Sequence, residues 1–478
     1  ARFKRLDGFD VKLLTGTDEH GQKVAKSADA AGVDPKTFTD RVSQNFRDLA
    51  ELMNFSHDDF IRTTEDRHFR ACRDIWKRLI ENDEIYLDSY AGWYAIRDEA
   101  FYAEDELTTG ADGKKTAPSG AEVEWVEEPS YFFKLSEWGN RLLKHYQDHP
   151  DFVLPKTRMN EVKSFVSGGL QDLSVSRTTF KWGVPVPGDE DHIMYVWLDA
   201  LTNYITGVGF PETDSGEYAT FWPADLHMIG KDIIRFHTVY WPAFLMSAGI
   251  ELPKRVFAHG FINVKGEKMS KSVGNVIDPL ALVDEFGVDP VRFFLLREIP
   301  FGQDGSYSAE GIVARINADL ANEFGNLAQR SLSMVAKNLE ATVPQPGDFS
   351  AADRELLTLA DELLDKVRGH YDATAMHLAL EAIWSVLGAA NRYFSAQEPW
   401  VLRKTDPDRF ATVLYTTLEV VRIAALLSQP VMPASMATLL TLLGQTEDQR
   451  MFSAIATRLA PGTALPAPTG VFPRYQAD

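Results

Sequence analysis

The pattern of apolar residues changes near residue 311, and this change constrains the fold more than any other feature of the 478-residue chain. From 311 to about 460 the sequence reads as one amphipathic helix after another, with apolar residues three and four positions apart. Upstream, short apolar runs such as 11–14 alternate with helical patterns, which is typical of an α/β unit with a parallel sheet. A turn-rich stretch at 85–165 interrupts that alternation. The sequence therefore predicts an α/β half with an insertion, followed by an all-α bundle.

Composition limits the possible functions only loosely. Apolar residues make up 45% of the chain and charged residues 25%, which is ordinary for a globular protein in water. The net charge of −20 argues against a broadly basic nucleic-acid surface, although an acidic protein can carry one basic track. We find no apolar run long enough to span a bilayer and expect no membrane partner.

Cysteine and histidine usage bears on metal binding. The single cysteine, Cys72, excludes an intrachain disulfide and any zinc site that needs two cysteines. It shares a helical pattern with Phe69 and Trp76, which favours a buried, inert thiol. His145 and His149 are one helical turn apart, but no third ligand is evident nearby. We therefore expect no structural zinc and no metal held by the protein itself.

Two lysines stand in a glycine-bounded loop, VKGEKMSKSVGNVIDP at 264–279. Lysine ammonium groups suit phosphate oxygens, and glycines on both sides would let the loop approach a ligand closely. Lys268 and Lys271 would then stabilise the charge that develops on a triphosphate during displacement. A solvated basic turn is the alternative, and this stretch alone favours it.

Two aspartates follow predicted strands. Asp18 lies past the carboxyl end of the strand predicted at 11–14, where ligands bind in open α/β sheets. Its carboxylate would pair with an ammonium group or cap the following helix. Asp232 follows a tight turn at Gly230 and starts a helix, so it is a candidate for an ordinary N-cap.

An apolar helical face lies in YVWLDALTNY. Its members are Trp197, Ala200, Leu201 and Tyr204. Such a face is more often core than pocket. His237, one turn after Ile233 on another apolar face, is likewise more usual as a satisfied core residue.

The helical third contains a polar pair and a tryptophan of interest. Asn326 and Arg330 are four residues apart, so they project together from a helix. Trp400 follows a proline at a predicted helix–loop junction, where an exposed ring would stack on a base. A buried tryptophan and a solvated Asn–Arg pair are the alternatives.

Five motifs in order carry a family resemblance. They are TGTDEHG (15–21), YVWLDALTNY (195–204), HMIGKDIIRFH (227–237), KMSKS (268–272), and GNLAQR (325–330) with EPW (398–400). KMSKS resembles the second signature of class I aminoacyl-tRNA synthetases, and the whole set resembles the methionyl-tRNA synthetases. The other class I signature, HIGH, does not occur, and HMIGK resembles it only superficially. We expect an N-terminal strand and the HIGH loop to be missing ahead of Ala1, by disorder or truncation.

The resemblance implies a doubly wound, Rossmann-like α/β catalytic domain and an all-α anticodon-binding bundle. The divisions are a first catalytic half at 1–84, a connective insertion without a zinc knuckle at 85–165, a second catalytic half at 166–254, a KMSKS-bearing junction at 255–310, the anticodon bundle at 311–460 and an extended tail at 461–478. The implied reaction has two steps. The methionine carboxylate attacks the α-phosphate of ATP, which Mg²⁺ accompanies, and gives methionyl-adenylate and pyrophosphate. The terminal ribose of tRNA(Met) then takes the methionyl group and AMP is released.

The resemblance also implies roles for individual residues. For methionine they are Asp18 on the amino group and, around the side chain, Trp197, Ala200, Leu201, Tyr204, Ile233 and His237. For ATP they are Gly230, Asp232, Lys268, Met269, Ser270 and Lys271, and the implied catalytic residues are Lys268, Lys271 and Arg177. For the CAU anticodon they are Asn326, Arg330 and Trp400. Leucine at 201 departs from some members, which carry proline there.

Two rival interpretations remain. One is another class I synthetase for an apolar amino acid, although those usually carry a longer editing insertion than 85–165 allows. The other is a non-catalytic tRNA-binding relative, which the lack of HIGH would fit. Under the interpretation we favour, the partners are tRNA(Met), methionine and ATP, and we expect a cytoplasmic monomer. The zinc-free insertion also resembles organellar members.

Overall fold

Short strands and longer helices alternate in the computed structural model, which describes residues 1–110, 113–214, 216–269 and 274–476. The strands are β1 (Leu14–Thr17), β2 (Asp59–Arg62), β3 (Ile85–Ala95), β4 (Ala100–Tyr102), β5 (Thr108–Thr109), β6 (Lys115–Thr116), β7 (Glu124–Phe133), β8 (Val153–Leu154), β9 (Leu173–Ser174), β10 (Ser176–Arg177), β11 (Pro185–Val186), β12 (Asp189–Met194), β13 (His227–Gly230), β14 (Val256–His259), β15 (Ile262–Val264), β16 (Glu267–Lys268) and β17 (Gly305–Tyr307).

Helices make up most of the remaining regular structure. The α-helices are α1 (Arg2–Leu6), α2 (Gln22–Ala30), α3 (Pro35–Leu52), α4 (Asp66–Glu81), α5 (Gly139–Asp148), α6 (Lys156–Ser167), α7 (Val196–Thr206), α8 (Gly216–Phe221), α9 (Trp241–Ser247), α10 (Pro279–Phe286), α11 (Val288–Glu298), α12 (Ala309–Arg315), α13 (Asn326–Asn338), α14 (Ala351–Asp361), α15 (Leu363–Asp372), α16 (Met376–Gln397), α17 (Pro399–Thr405), α18 (Pro407–Ser428) and α19 (Pro433–Leu442). Short 3-10 helices lie at Glu104–Glu106, Leu135–Trp138, Lys231–Ile233, Glu447–Gln449 and Phe452–Ala456, and π-helical turns lie at Phe236–Tyr240 and Ile316–Gly325.

Residues 12–51 and 57–259 form one compact unit, called the α/β unit below. In it β1 pairs in parallel with β2, and a second parallel sheet has the order β13-β14-β8. The strand predicted at 11–14 was wrong in its bounds, since β1 begins at Leu14. The physical reason is that the Leu13 N–H binds the side chain of Asp58, at 2.7 Å, instead of a neighbouring strand.

The core of the α/β unit forms where α4, α7 and α9 contact one another. On α4, Ala71, Ile75 and Leu79 recur every four residues, and all three are fully buried. Cys72, beside them, is also buried, as the sequence predicted. Apolar spacing on α4 thus fixes which face of that helix enters the core.

Antiparallel strands occupy much of the stretch predicted as an insertion. They form a sheet of order β4-β3-β7-β9, in which Ile85 lies opposite Phe133 and Tyr94 opposite Glu124. β8 also falls inside 85–165, yet it pairs with β14 in the parallel sheet. The exact domain boundaries stay a prediction.

The second compact unit, called the helical unit below, comprises residues 1–11, 52–56 and 260–478. α1 packs on its helices, because Phe3 stacks on Tyr371 with ring centroids 3.8 Å apart. Arg368 also donates to the Asp7 carboxylate at 2.6 Å. β16, β15 and β17 form a small sheet in the same unit.

Polar residues set where several bundle helices begin. Ser350 accepts the Asp353 N–H while Asp353 accepts the Ser350 N–H, a reciprocal capping box at the start of α14. At the start of α18 Asp406 accepts the Arg409 N–H, and Pro407 occupies the first helical position. Such local signals explain why the helical third is readable from sequence.

Helix α18 is long and apolar enough to cross a membrane by length and composition, with a mean hydropathy of 1.6. The statement that no such run exists was therefore wrong. However, 94% of its apolar window is buried inside the protein, and it carries a buried ion pair between Glu419 and Arg422 at 2.6 Å. Both features fit the core helix of a bundle.

Candidate functional site

Asp18 directly follows β1, at the carboxyl end of a parallel strand. It accepts the N–H of His20 and does not cap α2, whose N-cap Gly21 has no side-chain bond. Asp18 is an exposed residue, yet surrounding protein desolvates its carboxyl group. That desolvation, together with the negative charge of Asp199, raises the pKa of Asp18 to about 7. Without a bound cation, Asp18 is only partly ionised at neutral pH.

The two residues after Asp18 are anchored to different elements. Glu19 accepts from Arg62 Nε at 2.7 Å and from Arg62 Nη2 at 2.9 Å, at the end of β2. His20 Nδ1 lies 2.6 Å from Asp199 Oδ2 on α7. The residues that follow Asp18 are therefore anchored to both β2 and α7.

Asp199 joins two histidine rings inside the core. Its second oxygen, Oδ1, lies 2.7 Å from His68 Nε2 on α4, and no member of the group is more than 4% exposed. Burial alone would lower the pKa of His20, but the facing Asp199 carboxylate raises it above its ordinary value. Burial would raise the pKa of Asp199, yet its imidazole partners hold it below the usual range. Both shifts favour an imidazolium facing a carboxylate.

Sequence reasoning assigned no role to His20, His68 or Asp199. His20 stands in TGTDEHG and Asp199 in YVWLDALTNY, so polar residues inside two motifs were the available signal. Their contact spans 179 residues, and no local pattern reports a pairing at that separation.

Helix α7 carries the predicted aromatic face. Trp197 stacks on Phe236 with ring centroids 3.8 Å apart and planes 6° apart. Tyr204 places its hydroxyl 2.7 Å from His237 Nε2. Ala200 is 7% exposed and Leu201 only 1%, so these two lie deeper in the core than the rings.

The hydrogen bonds of His237 define its protonation. Nδ1 lies 2.9 Å from the carbonyl oxygen of Ile233, which only accepts, so Nδ1 carries a proton. Burial lowers the pKa of His237 to about 4, so the ring is neutral and its Nε2 accepts the Tyr204 O–H. His237 sits in the π-helical turn at Phe236–Tyr240, a distortion that is frequent at functional sites. Trp197, Tyr204 and His237 together form an aromatic wall that is neutral in charge.

The turn after β13 carries the residues expected to meet ATP. Gly230 is the N-cap of the short helix Lys231–Ile233 and no side chain caps it, so Asp232 is not an N-cap. Asp232 is exposed. A Cβ at position 230 would meet Asp232 Oδ1 at 2.6 Å, so a larger residue there would displace the Asp232 side chain. An exposed carboxylate at the carboxyl end of a parallel strand is well placed for a ligand.

Arg177 on β10 is 3% exposed and surrounded by aromatic rings. Its guanidinium carbon lies 4.6 Å from the ring centroid of Phe101 and 4.7 Å from that of Tyr195. Its Nη1 donates to Ser174 Oγ at 2.7 Å and to the Ser176 carbonyl at 2.6 Å. These contacts hold a buried cation in one orientation.

The lysine loop is described only in part. Ser270 and Lys271 lie outside the described residues. Lys268 ends β16, and its Nζ lies 4.2 Å from the ring centroid of Phe261. Asn275 donates to the Lys268 carbonyl at 3.2 Å, and Met269, which follows Lys268, is half-buried.

In the helical unit the structure brings Arg330 and Trp400 together. The Arg330 guanidinium carbon lies 5.6 Å from the Trp400 ring centroid and 5.0 Å from that of Phe394. Asn326, exposed, is the first residue of α13 and precedes Arg330 by one turn. α16 ends at Gln397, and its C-cap Glu398 has a left-handed conformation with φ 46°. The chain then continues as α17, in which Trp400 is 37% exposed. The helix break presents the indole to solvent.

Among the described residues, one group of three side chains is close enough to hold a metal: His68, Cys72 and Asp199. His68 Nε2 lies 3.2 Å from Cys72 Sγ and 2.7 Å from Asp199 Oδ1. These are hydrogen-bond distances, and burial raises the pKa of the Cys72 thiol, which disfavours the thiolate that a metal needs. We read the group as a hydrogen-bonded cluster. The expected absence of structural zinc stays a prediction.

Comparison with known proteins defines the class. A family model described as "tRNA synthetases class I (M)" matches residues 1–332, and one described as "Anticodon binding domain of methionyl tRNA ligase" matches residues 343–478. The parallel-stranded α/β unit followed by helices is thus the architecture of a class I aminoacyl-tRNA synthetase.

Individual relatives give the specificity. The methionine–tRNA ligase of Mycobacterium bovis is 64% identical over 100% of this chain and 92% of its own length, and that of Brucella suis is 58% identical over 100% and 93%. The solved methionyl-tRNA synthetase of Mycobacterium tuberculosis in complex with methionyl-adenylate matches with a TM-score of 0.98 and 63% identity, covering 99% of this chain and 94% of that one. The chain therefore belongs to the methionyl-tRNA synthetase family. As a member it is an ATP-dependent methionine–tRNA ligase, and the predicted family and fold class are confirmed.

Proposed function

We propose that the α/β unit makes methionyl-adenylate and that the helical unit reads the CAU anticodon of tRNA(Met). A methionine carboxylate oxygen bonds to the α-phosphorus of ATP, the α–β phosphate bond breaks, and pyrophosphate leaves. The ribose hydroxyl of the terminal tRNA adenosine then attacks the methionyl carbonyl and AMP leaves. Both steps need only positioning and charge stabilisation, so no covalent enzyme intermediate is required. The likeness to a relative solved with methionyl-adenylate supports this assignment.

Asp18 is proposed to bind the ammonium group of methionine. Asp18 is an exposed residue at the end of β1, and the protein around its carboxyl group strengthens a charge-assisted hydrogen bond. An arriving ammonium would favour the ionised form of a carboxyl whose pKa is raised to about 7. Binding and ionisation are therefore coupled at this residue.

The aromatic wall is proposed to hold the methionine side chain. Contacts between sulfur and an aromatic ring are worth about 0.3–1.5 kcal/mol each, and Trp197 and Tyr204 are half-buried rings. His237 is neutral and already bonded to Tyr204, so the wall has no charge to attract a polar competitor. Ala200, Leu201 and Ile233 are proposed to complete the apolar surroundings.

The nucleotide is proposed to bind at Gly230 and Asp232 after β13. Asp232 suits the ribose hydroxyls, because a carboxylate accepts from two donors. Lys268, Met269, Ser270 and Lys271 are also proposed to contact ATP. The structure describes the first two of these and not the last two. Lys268 and Lys271 are proposed to neutralise the triphosphate, and the fixed guanidinium of Arg177 to stabilise the site.

Mg²⁺ is proposed to arrive with ATP. The group of three potential metal ligands found among the described residues is buried. We propose that the ion comes with the triphosphate, since Mg²⁺ is commonly held by one or two carboxylates and the phosphates themselves.

The anticodon is proposed to meet Asn326, Arg330 and Trp400. An exposed indole next to a guanidinium offers a stacking face and charged donors, which single-stranded RNA loops require. This local pair reconciles RNA binding with a net charge of −20. We further propose a cytoplasmic monomer that uses no membrane partner and no structural zinc.

The neutral Trp197–Tyr204–His237 wall is the observation that carries this proposal. ATP–pyrophosphate exchange with a panel of amino acids tests it. We expect kcat/KM for methionine to exceed that for leucine or valine by about a hundredfold. Preferential activation of leucine or valine would contradict the proposal, and so would exchange with none of them.

A further inference from the structure

A buried chain of hydrogen bonds links the segment that carries Asp18 to helix α7. His20 Nδ1 lies 2.6 Å from Asp199 Oδ2, and His68 Nε2 lies 2.7 Å from Asp199 Oδ1. Asp199 is 0% exposed, and each of its oxygens faces one ring, with Cys72 Sγ 4.0 Å from Oδ1 as a further neighbour. His68 Nδ1 in turn lies 3.1 Å from Thr206 Oγ1, at the far end of α7. The carboxylate is thus a junction between the Asp18 segment, α4 and α7.

The packing around His20 leaves that ring little freedom. It meets Phe69 and Trp182 edge-on, with ring centroids 5.5 and 5.4 Å away. Trp182 also donates from Nε1 to the carbonyl of Glu19 at 2.6 Å. Because Asp18 accepts the N–H of His20, the anchor on His20 also sets where the Asp18 carboxylate stands.

We propose that Asp199 is a positioning residue for methionine: through His20 it holds the Asp18 carboxylate at a fixed place relative to α7. Trp197 and Tyr204 lie on α7, so one residue sets the spacing between the amino-group site and the side-chain wall. The proposal rests on the proposed role of Asp18. It adds a residue that touches no part of the substrate.

Replacing Asp199 by asparagine breaks this arrangement without changing its shape. An asparagine side chain offers one accepting oxygen and one donating nitrogen, whereas Asp199 faces a donor on each side. One of the two histidines would meet another donor and lose its bond. His20 would also lose the negative charge that faces its ring.

The first test is steady-state ATP–pyrophosphate exchange on Asp199→Asn. A displaced carboxylate should raise KM for methionine about tenfold to a hundredfold and change KM for ATP by less than about twofold. Glu419→Gln is the matched control, because Glu419 is an equally buried carboxylate, paired with Arg422 in the helical unit. It should leave KM for methionine unchanged. Equal changes in both KM values, or a lower melting temperature with unchanged KM, would overturn the proposal.

A second pair of variants covers the case in which Asp199→Asn does not fold. His20→Asn places an amide N–H where Nδ1–H stood, whereas His20→Leu removes the donor. We expect His20→Leu to raise KM for methionine by about tenfold or more, and His20→Asn to recover most of that loss. The same KM in both variants would overturn positioning by this hydrogen bond.

Two further measurements separate the possible failures. Asp18→Asn tests the proposed function alone: if it leaves KM for methionine unchanged, the role of Asp18 fails. If Asp18→Asn raises that KM and Asp199→Asn does not, only the positioning role fails. Elemental analysis should find no stoichiometric metal in the purified protein. A metal that is present in the unchanged protein and lost in Cys72→Ser would show that His68, Cys72 and Asp199 form a metal site instead of a hydrogen-bonded cluster.

Discussion

In the α/β unit the side chains proposed to bind methionine are held by other side chains, whereas in the helical unit the side chains proposed to bind the anticodon are carried by helices. Asp18 is placed by contacts that reach β2 and α7. Asn326 and Arg330 are one turn apart on α13, Trp400 follows the break at Glu398, and the Arg330 guanidinium lies near the Trp400 ring. A small molecule must be enclosed and measured on all sides, while a splayed base needs one exposed face. Substitutions at the proposed methionine site should therefore disturb neighbouring side chains as well. Substitutions at the proposed anticodon site should affect only the substituted residue.

The largest effect should come from Asp18→Asn. Loss of a charge-assisted bond to an ammonium costs about 1.5–3 kcal/mol or more, so kcat/KM for methionine should fall by about a hundredfold. Asp34→Asn is the control, because that exposed carboxylate caps the start of α3 through Thr37. It should leave exchange unchanged. Similar losses in the two variants would mean that the α/β unit is sensitive to any lost carboxylate.

The anticodon side should respond next, and only in the second half-reaction. Trp400→Ala removes a base-stacking face worth roughly 1–3 kcal/mol, so KM for tRNA should rise about tenfold to a hundredfold while ATP–pyrophosphate exchange is retained. Trp125, 55% exposed in the α/β unit, is the matched control, and Trp125→Ala should change neither assay. A parallel loss of exchange in Trp400→Ala would erase the contrast between the two regions.

Lowering the pH should weaken methionine binding at the proposed Asp18 site before it affects the proposed anticodon site. Asp18 must be ionised to pair with an ammonium, and its pKa is raised to about 7 by burial and by Asp199 and Glu99, with His20 opposing them. A raised carboxyl pKa means that the binding form is lost as the pH falls through 7. KM for methionine should therefore rise about tenfold between pH 8 and pH 6 with KM for ATP nearly constant. A flat methionine profile over that range would contradict the assignment.

The smallest effect concerns the helix break beside Trp400. Glu398 has a φ of 46°, a left-handed conformation that glycine adopts without strain. Glu398→Gly should raise the free energy of unfolding by about 0.5–1 kcal/mol and leave exchange unchanged. Urea unfolding, followed by protein fluorescence, measures this change in the free energy of unfolding. Glu362→Gly is the control, and it should destabilise the protein because Glu362 has a right-handed conformation. Destabilisation by Glu398→Gly would show that the glutamate side chain, not the backbone, makes the break.

What the sequence could predict follows the same division. The bundle helices and the one-turn spacing of Asn326 and Arg330 depend on local spacing and caps, which the sequence contains. The local pattern left a buried and an exposed Trp400 open, and the structure leaves the residue 37% exposed. Asp18 was found at a strand end although the strand bounds were wrong, because the turn motif marks that end better than the apolar run does. The His20–Asp199 contact depends on tertiary packing and has no local signature.

Arg177 and α18 show the remaining limits. Sequence spacing did not reveal that three aromatic rings lie around Arg177, since they come from β3, from β4 and from Tyr195, the residue before α7. The apolar length of α18 was overlooked, and only the structure shows that the helix is buried in the bundle. Burial of a polar or apolar segment is a property of its neighbours, which one stretch of sequence does not contain.

A crystal structure of the protein with methionine and ATP bound tests the central claim most directly. The account predicts the ammonium within hydrogen-bond distance of the Asp18 carboxylate and the thioether against Trp197 and Tyr204. An amino group bound to any other residue, or a side chain outside the aromatic wall, would contradict it.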